Sequence, residues 1–403
     1  MLSAAQAWLF LGPLAIALAG CSLLVEENLA DKPGEDLGLG TGGSGSGAAS
    51  WESMSSDFAP RVDAAAAWIG SGMFVWGGAD DAGDRSDGAI YDPQTDVWKP
   101  VSDTGAPSAR SHAAAVWTGS RVIIFGGGPS GSGDGINDGA EYDPASDTWS
   151  SLNPPGPPSA GRRRPIAFWT GSLVVIWGGE ANGAPLSSGL RYNPTTSDWA
   201  SVTKNAAPGP RRGSAWAWTG SRLLVFGGQI DGFGATSDGF AYDPVQDEWT
   251  KMGGANAPSP RYDAFAVWMG DAAGKGELLV WGGRGENDEE LTSGARYNPD
   301  DETWTPVATQ GSPSKRAAPS GEAGFIAWTG LRAVLVGGID GSSFRTDGAI
   351  YDPAGNAWPW PVPSWPGGKA HERGVVVFTG QEVLLWSGRD GGSLLDTGAR
   401  FMP

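Results

Sequence analysis

RSHAAAVWTGSRVIIFGG (residues 110–127) and DGAEYDPASDTWSSL (residues 138–152) together decide the fold. HAAAVW and RVIIFGG are two short β-prone runs, and the T-G-S turn between them contains a glycine that tolerates positive φ. A third run ends at Tyr142, and the Asp-Pro step that follows begins a turn into a fourth run at Trp149. The unit therefore predicts a four-stranded antiparallel meander, whose strands we call a to d from the first to the last.

This unit recurs seven times between residues 51 and 403. The double glycine returns every 49 to 55 residues, at Gly77, Gly126, Gly178, Gly227, Gly282 and Gly337, with Ser387-Gly388 as the seventh. A tyrosine before Asp-Pro or Asn-Pro, followed by a tryptophan, marks the first six copies. Self-similarity at a fixed period of this length is typical of a β-propeller, in which each repeat forms one blade.

The two ends of the chain complement each other. The seventh copy stops at Pro403 without its fourth strand, whereas WESM at residues 51–54 matches WTKM at residues 249–252. We therefore expect Trp51 to Met54 to complete blade seven and close the ring. A closed ring leaves no radial sheet edge exposed to pair with another chain.

The double glycine and the later Tyr…Trp pair, at this period, resemble the kelch family. The resemblance covers residues 51–403 and implies an all-β, seven-bladed propeller, with the recurring aromatic residues packed between the blades. It also implies a function, because most kelch propellers are binding platforms. Some are enzymes, including sugar oxidases and a sialic-acid epimerase.

The first fifty residues predict export and a lipid anchor. The apolar run AWLFLGPLAIAL at residues 7–18 is about a dozen residues long, short of the roughly 20 that span a membrane. Leu18-Ala19-Gly20-Cys21 resembles the bacterial lipobox, although no Lys or Arg precedes it. We expect a signal peptide at 1–20, a lipidated Cys21 and a flexible Gly/Ser-rich tether through residue 50. Ser22 favours the outer membrane; the alternatives are an ordinary secretory signal or an uncleaved apolar tail.

Composition excludes several classes of partner. The formal net charge of −18 disfavours nucleic acid and leaves the lipid anchor as the only expected contact with a membrane. One cysteine and two histidines provide neither an internal disulfide nor a structural zinc site. The acidic loops lack the ordered ligand spacing of a calcium site. We predict no metal, no cofactor and a monomer.

The loops between strands b and c vary most among the copies, whereas the a–b and c–d turns hardly vary. Variable loops commonly carry function, so we expect the binding surface on the face formed by the b–c and d–a loops. Seven residues before the tryptophan that ends strand a, five copies carry an arginine; the sixth carries Gly321 and the seventh a histidine. The candidate ligand-binding residues are Arg61, Arg110, Arg162, Arg211, Arg261 and His371.

Two interpretations of this ring of cations stay open. It would suit a carboxylate or phosphate ligand. Alternatively, each arginine pairs with a carboxylate of a neighbouring blade, such as Asp87, Asp138, Asp238 or Asp347. The second interpretation makes the ring part of the scaffold.

Three functions follow as hypotheses. The first is a tethered binding module for a protein or a carbohydrate, anionic ligands included. The second is a carbohydrate-active enzyme, such as a sugar epimerase or lyase, with its site over the central channel; no catalytic residue is identifiable, and we favour a non-enzyme. The third is a passive structural protein of the envelope. Converging carboxylates at the channel mouth would favour an enzyme, and an aromatic and polar rim would favour a binder.

Overall fold

The computed structural model describes residues 18–19, 50–152, 160–271, 274–318 and 324–403. The regular elements of these residues are all β-strands. Twenty-eight of the strands form seven antiparallel sheets of the predicted kind, and each sheet is one blade. The all-β, seven-bladed propeller is confirmed.

The second blade illustrates why the repeat forms a sheet. Its strands are Ser111–Trp117, Val122–Gly128, Gly139–Asp143 and Thr148–Leu152. Strand b pairs on both sides, with Val122 opposite both Trp117 and Tyr142. It is fully buried, which accounts for its run of β-branched residues.

The other blades follow the same order. Blades 1 and 3 are formed by Ala65–Trp68, Met73–Trp76, Gly88–Asp92, Val97–Pro100 and by Ile166–Trp169, Val174–Trp177, Gly189–Asn193, Asp198–Ser201. Blades 4 and 5 are formed by Ala215–Trp218, Leu223–Phe226, Gly239–Asp243, Glu248–Lys251 and by Phe265–Gly270, Gly276–Trp281, Gly294–Asn298, Thr303–Pro306. Blade 6 is formed by Gly324–Trp328, Ala333–Gly337, Gly348–Asp352 and Ala357–Val362.

Blade 7 is assembled from both ends of the chain. Its strands a to c are Val375–Phe378, Val383–Trp386 and Gly398–Met402, and its strand d is Ser50–Met54. The register places Trp51 opposite Phe401 and Met54 opposite Gly398. The predicted closure is confirmed, and it begins one residue earlier than Trp51.

The b–c loops carry small hairpins on five blades. They lie on the face that also receives the d–a loops, which we call the loop face. The hairpin strands are Ala79–Asp80 with Gly83–Asp84, Glu180–Ala181 with Ala184–Pro185, Gln229–Ile230 with Gly234–Ala235, Ile339–Asp340 with Ser343–Phe344, and Arg389–Asp390 with Ser393–Leu394.

Aromatic pairs fill the layers between blades, as predicted. In the first six blades the tyrosine of strand c and the tryptophan of strand d have ring centroids 4.6 to 5.1 Å apart. Phe401 and Trp51 make the same pair in blade 7, at 5.0 Å. The indole N–H of Trp149 also donates to the carbonyl of Ser102, in the segment that follows blade 1. The pair of blade 2 therefore packs its own blade and ties it to the one before.

The predicted signal peptide, Cys21 and the tether lie outside the described residues, except for Leu18, Ala19 and Ser50. Leu18–Ala19 forms a two-residue strand antiparallel to strand a of blade 3. In the described part of the chain, we find no helix long and apolar enough to cross a membrane.

Candidate functional site

The six candidate residues all lie where the d–a loop enters strand a, and all are buried. The five arginines are between 0 and 5 % exposed, and His371 is 7 % exposed. Arg110 is representative: its Nη1 donates to the carbonyl of Gly126 at 3.1 Å, and its Nε donates to the carbonyl of Ser108 at 2.9 Å. These contacts brace the first glycine of the double-glycine turn against the incoming d–a loop.

The carboxylates at the start of strand c are also in place. Asp87 contacts Arg61 at 3.1 Å, Asp138 contacts Arg110 at 2.6 Å and Asp238 contacts Arg211 at 2.7 Å. Each partner lies in the blade that the arginine enters, so the expectation of a neighbouring blade's carboxylate is wrong. The reason is geometric, because the d–a loop passes beside the b–c corner of its own blade.

Two arginines face serine where the others face aspartate. Arg162 donates to the carbonyl of Ser188 at 2.8 Å, and Arg261 donates to the carbonyl of Ser293 at 2.7 Å. Burial lowers the pKa of each guanidinium to about 10. Both remain charged at neutral pH and are held by neutral oxygens.

The sixth blade also has its arginine, at Arg316 and not at Gly321. Arg316 is fully buried and donates to the carbonyls of Gly337 and Asp347 at 2.9 and 3.0 Å. It stands twelve residues before Trp328, where the other blades have seven, so counting back from the tryptophan misses it. Gly321 itself lies outside the described residues. The Pro-Ser-x-Arg pattern at residues 107–110, 258–261 and 313–316 is the signal that identifies it.

His371 takes the position of the arginine in blade 7. Its Nδ1 lies 2.6 Å from the carbonyl oxygen of Ser387, which stands where other blades have the first glycine. A carbonyl only accepts, so Nδ1 carries the proton. Ligand binding by the arginines and His371 stays a prediction; the contacts described above all lie within the propeller.

A second ring stands two residues further along each d–a loop. We call it the mouth ring, because it encircles the end of the central channel on the loop face. The backbone N–H of one member donates to the carbonyl of the preceding blade's member in five described bonds of 2.6 to 3.0 Å. The seven members are Asp63, His112, Arg164, Gly213, Asp263, Ala318 and Arg373.

Backbone conformation defines the mouth ring better than residue type does. Six of its members have φ between +50 and +62°, a region that disfavours most side chains other than glycine. The inter-blade hydrogen bonds hold this conformation. The five bonds run around the channel, and each blade contributes one residue at the mouth.

Four consecutive members form a continuous polar arc. Arg373 binds the carboxylate of Asp63 in a short two-pronged contact, and Asp63 Oδ1 lies 3.4 Å from His112 Nδ1. His112 Nε2 accepts from Arg164 at 3.3 Å, because a guanidinium only donates. Nδ1 therefore carries the imidazole proton and points at Asp63. Burial, followed by the charges of Arg164, Arg163 and Arg373, lowers the pKa of His112 to about 2, which keeps the ring neutral.

The arc lies at one end of a cavity of about 230 Å³. Alanines of the inner strands, including Ala65 and Ala114, line the wall. Trp216 and Phe265, from blades 4 and 5, add aromatic surface to the wall. The site is therefore a small polar opening above an apolar shaft.

Sequence reasoning missed this ring. Its positions hold five different residue types, so no repeated letter marks them. Each nevertheless stands two residues after the buried arginine or histidine that contacts the corner of its blade, which we call the brace residue. Among the described residues, no group of three or more His, Cys, Asp or Glu side chains is arranged to hold a metal ion.

The fold defines a class, the seven-bladed propeller whose blades carry a double-glycine corner, which is Ser387-Gly388 in the seventh blade. The profile of the KLHDC2/KLHL20/DRC7 Kelch-repeats domain matches residues 48–228 and 213–401. The chain therefore belongs to the kelch-repeat family, whose propellers commonly bind proteins. No curated protein matches the sequence.

Proposed function

We propose that the protein is a binding module displayed outside the cytoplasm on a lipid anchor at Cys21, and that a protein or glycan ligand docks over the mouth ring. The observation that carries the proposal is the polar arc Arg373–Asp63–His112–Arg164 at the open end of the cavity. Side chains from several blades converge there, as binding sites in closed repeat folds require.

The chemistry of the mouth supports a binder over an enzyme. Asp63 is only 2 % exposed and is held by Arg373, so it is poorly suited to accept a proton from a substrate. His112 is neutral and has both nitrogens occupied. The hydrogen-bonding groups of the arc and the aromatic wall instead suit recognition of a hydroxyl-rich or acidic ligand. The membrane anchor and an outer-membrane location rest on the lipobox resemblance, and a monomeric state is part of the proposal.

Thermal-shift measurements on the purified full chain test the site. Sugars, sugar acids and acidic peptides are screened against the parent and against Arg164→Gln, which keeps a hydrogen-bond donor and removes the charge. A ligand at 100 times its Kd should stabilise the parent by about 2.7 kcal/mol. We expect Arg164→Gln to lose most of this stabilisation for an anionic ligand.

The matched control is Arg222→Gln, the same change at an exposed arginine in an a–b turn on the opposite face. It should respond to ligand as the parent does. A ligand that stabilises all three proteins equally would place its site elsewhere, and conversion of a stabilising sugar into product would replace the binder with an enzyme. If no compound shifts the parent, the proposed site is wrong for these ligand classes.

Anchoring is tested separately with Cys21→Ser in a bacterial host. We expect the parent in the membrane fraction and the variant in the soluble fraction. A variant that stays membrane-bound would show that the apolar run itself, and not a lipid, holds the protein.

A further inference from the structure

One b–c hairpin differs from the other four. Four hairpins turn through two residues, which are Asp81-Ala82, Asn182-Gly183, Gly341-Ser342 and Gly391-Gly392. The hairpin of blade 4 turns through three, Asp231-Gly232-Phe233. The additional residue is thus an aromatic one, at the tip of a loop where the other blades have only small or polar side chains.

Phe233 projects into solvent from a fixed loop. Its side chain is 87 % exposed, and its N–H donates to the carbonyl of Ile230 at 3.0 Å. Gly232 and Gly234 on either side have φ of +77 and +81°. A Cβ added at either glycine would meet no atom within 4 Å, so the two glycines serve the backbone conformation and not close packing.

The hairpin is braced on both sides. Arg212 donates to Asp231 at 2.9 Å and to the carbonyl of Gly183, on the blade 3 hairpin, at 3.2 Å. At its base, Gly228 donates to the carbonyl of Arg261 at 2.8 Å, and the N–H of Arg261 donates to Thr236 at 3.0 Å. The phenyl ring is therefore presented by a loop that is already ordered, which lowers the entropy cost of inserting it into a partner.

The loops that adjoin the hairpin of Phe233 expose carboxylates. Asp231, which pairs with Arg212, is 58 % exposed, and the b–c loop of the next blade exposes Glu286, Asp288 and Glu289. With a chain charge of −18, this surface repels anionic lipid headgroups and favours a basic counterpart. A protruding aromatic side chain at an interface fills a pocket on the partner protein. Such aromatic anchors carry much of the binding energy of protein interfaces.

We propose that Phe233 is the anchor of a protein-docking surface on the loop face, and that its partner is a protein whose apolar pocket has a rim of Lys and Arg. The inference deepens the proposed function and rests on it only for the choice of face. The docking residue is separate from the mouth ring, so each proposal fails on its own variant.

The test places a photo-crosslinking phenylalanine at position 233 of the full chain in its host, and at Val245 as the matched control. Val245 is 85 % exposed in the c–d turn of the same blade, on the opposite face. The protein captured only from position 233 is purified, and its affinity is measured for the parent, Phe233→Ser and Val245→Ser. Arg164→Gln is measured in the same assay.

We expect Phe233→Ser to weaken binding 10- to 100-fold with unchanged thermal stability, and Val245→Ser to bind as the parent does. Raising salt from 50 to 500 mM should weaken the parent complex, and the crosslinked residue should lie in an apolar pocket with a basic rim. A loss confined to Arg164→Gln would support the mouth site and overturn the Phe233 proposal. Equal capture at both positions, no capture, capture of a second copy or of lipid, or an unchanged affinity of Phe233→Ser would also overturn it.

Discussion

The seventh blade differs from the other six at the corner where the two ends of the chain meet. Arg316 in a regular blade donates to the carbonyls of Gly337, Asp347 and Ser314, whereas His371 in blade 7 donates to one carbonyl, that of Ser387. The first glycine of the corner is replaced by Ser387, which keeps φ near +59°. The closing blade thus preserves the geometry of the corner with fewer donors from the d–a loop.

The hydroxyl of Ser387 compensates for the lost donors. It accepts from the N–H of Arg61 at 2.7 Å and lies 2.9 Å from the carbonyls of Arg61 and Leu395. This joins blade 7 to blade 1 across 326 residues of sequence. Consecutive blades elsewhere are joined by the continuous chain. Blades 7 and 1 are joined by the Ser387 side chain and by strand d of blade 7, which comes from the start of the propeller sequence.

Deleting residues 50–54 should have the largest effect on this comparison. The deletion removes strand d of blade 7, including Trp51, whose Nε1 donates to the carbonyl of Pro363 at 2.8 Å. It exposes the strand Gly398–Met402 as a free edge, and we expect loss of cooperative unfolding in calorimetry together with aggregation. Deleting residues 30–44 of the tether is the control and should leave the unfolding transition unchanged. A cooperative transition after the first deletion would mean that six blades suffice.

Truncating the brace residues should have the next largest effect. Arg316→Ala removes a fully buried guanidinium and leaves the carbonyl of Gly337 without its donor, which should cost about 3–5 kcal/mol of unfolding free energy. His371→Ala removes a single donor while the Ser387 hydroxyl remains, and should cost about 1–3 kcal/mol. Chemical denaturation measures both, with Arg222→Ala as the exposed control expected within about 0.5 kcal/mol of the parent. An equal cost at both positions would mean that the extra donors of arginine contribute nothing.

The fold was predictable because its determinants are local and repeated. Turn glycines, Asp-Pro steps and Tyr…Trp pairs recur at a fixed period. WESM at residues 51–54 has the sequence of a strand d, although it precedes the first blade. Arg316 was missed because an insertion in blade 6 moves it away from Trp328, while its contact with Gly337 is kept. Spacing along the chain predicts a contact only when the loop lengths are equal, and an insertion changes the spacing without changing the contact.

The mouth ring was not predictable from residue types. Asp63, His112 and Arg164 occupy equivalent positions through shared backbone conformation and inter-blade hydrogen bonds, and not through similar side chains. Their arc exists only after three blades and the closing blade are assembled. The exposure of Phe233 has a similar origin, since the sequence places it in a variable loop but does not tell whether the ring packs or projects.

The smallest expected effect is a pH dependence of stability, which a histidine at the brace position has and an arginine lacks. Burial lowers the pKa of His371 despite its bond to Ser387, and the pKa of His112 falls to about 2. Because the folded pKa of each lies below the unfolded value of about 6.5, each contributes stability that is present above that pH and is lost as pH falls. His112 should reduce the unfolding free energy by up to about 1.4 kcal/mol per pH unit between pH 6.5 and 5, and His371 should reduce it in the same direction.

The paired carboxylates of Asp238 and Asp347, whose pKa values are lowered despite the opposing effect of burial, act only below about pH 4. Denaturation between pH 7.5 and 5 should therefore show a decline in the parent, a smaller decline in His371→Gln, and the smallest when His112→Gln is added. An unchanged slope in His371→Gln would mean that the closing brace is not held neutral, and that the charge of the brace does not distinguish the seventh blade from the other six.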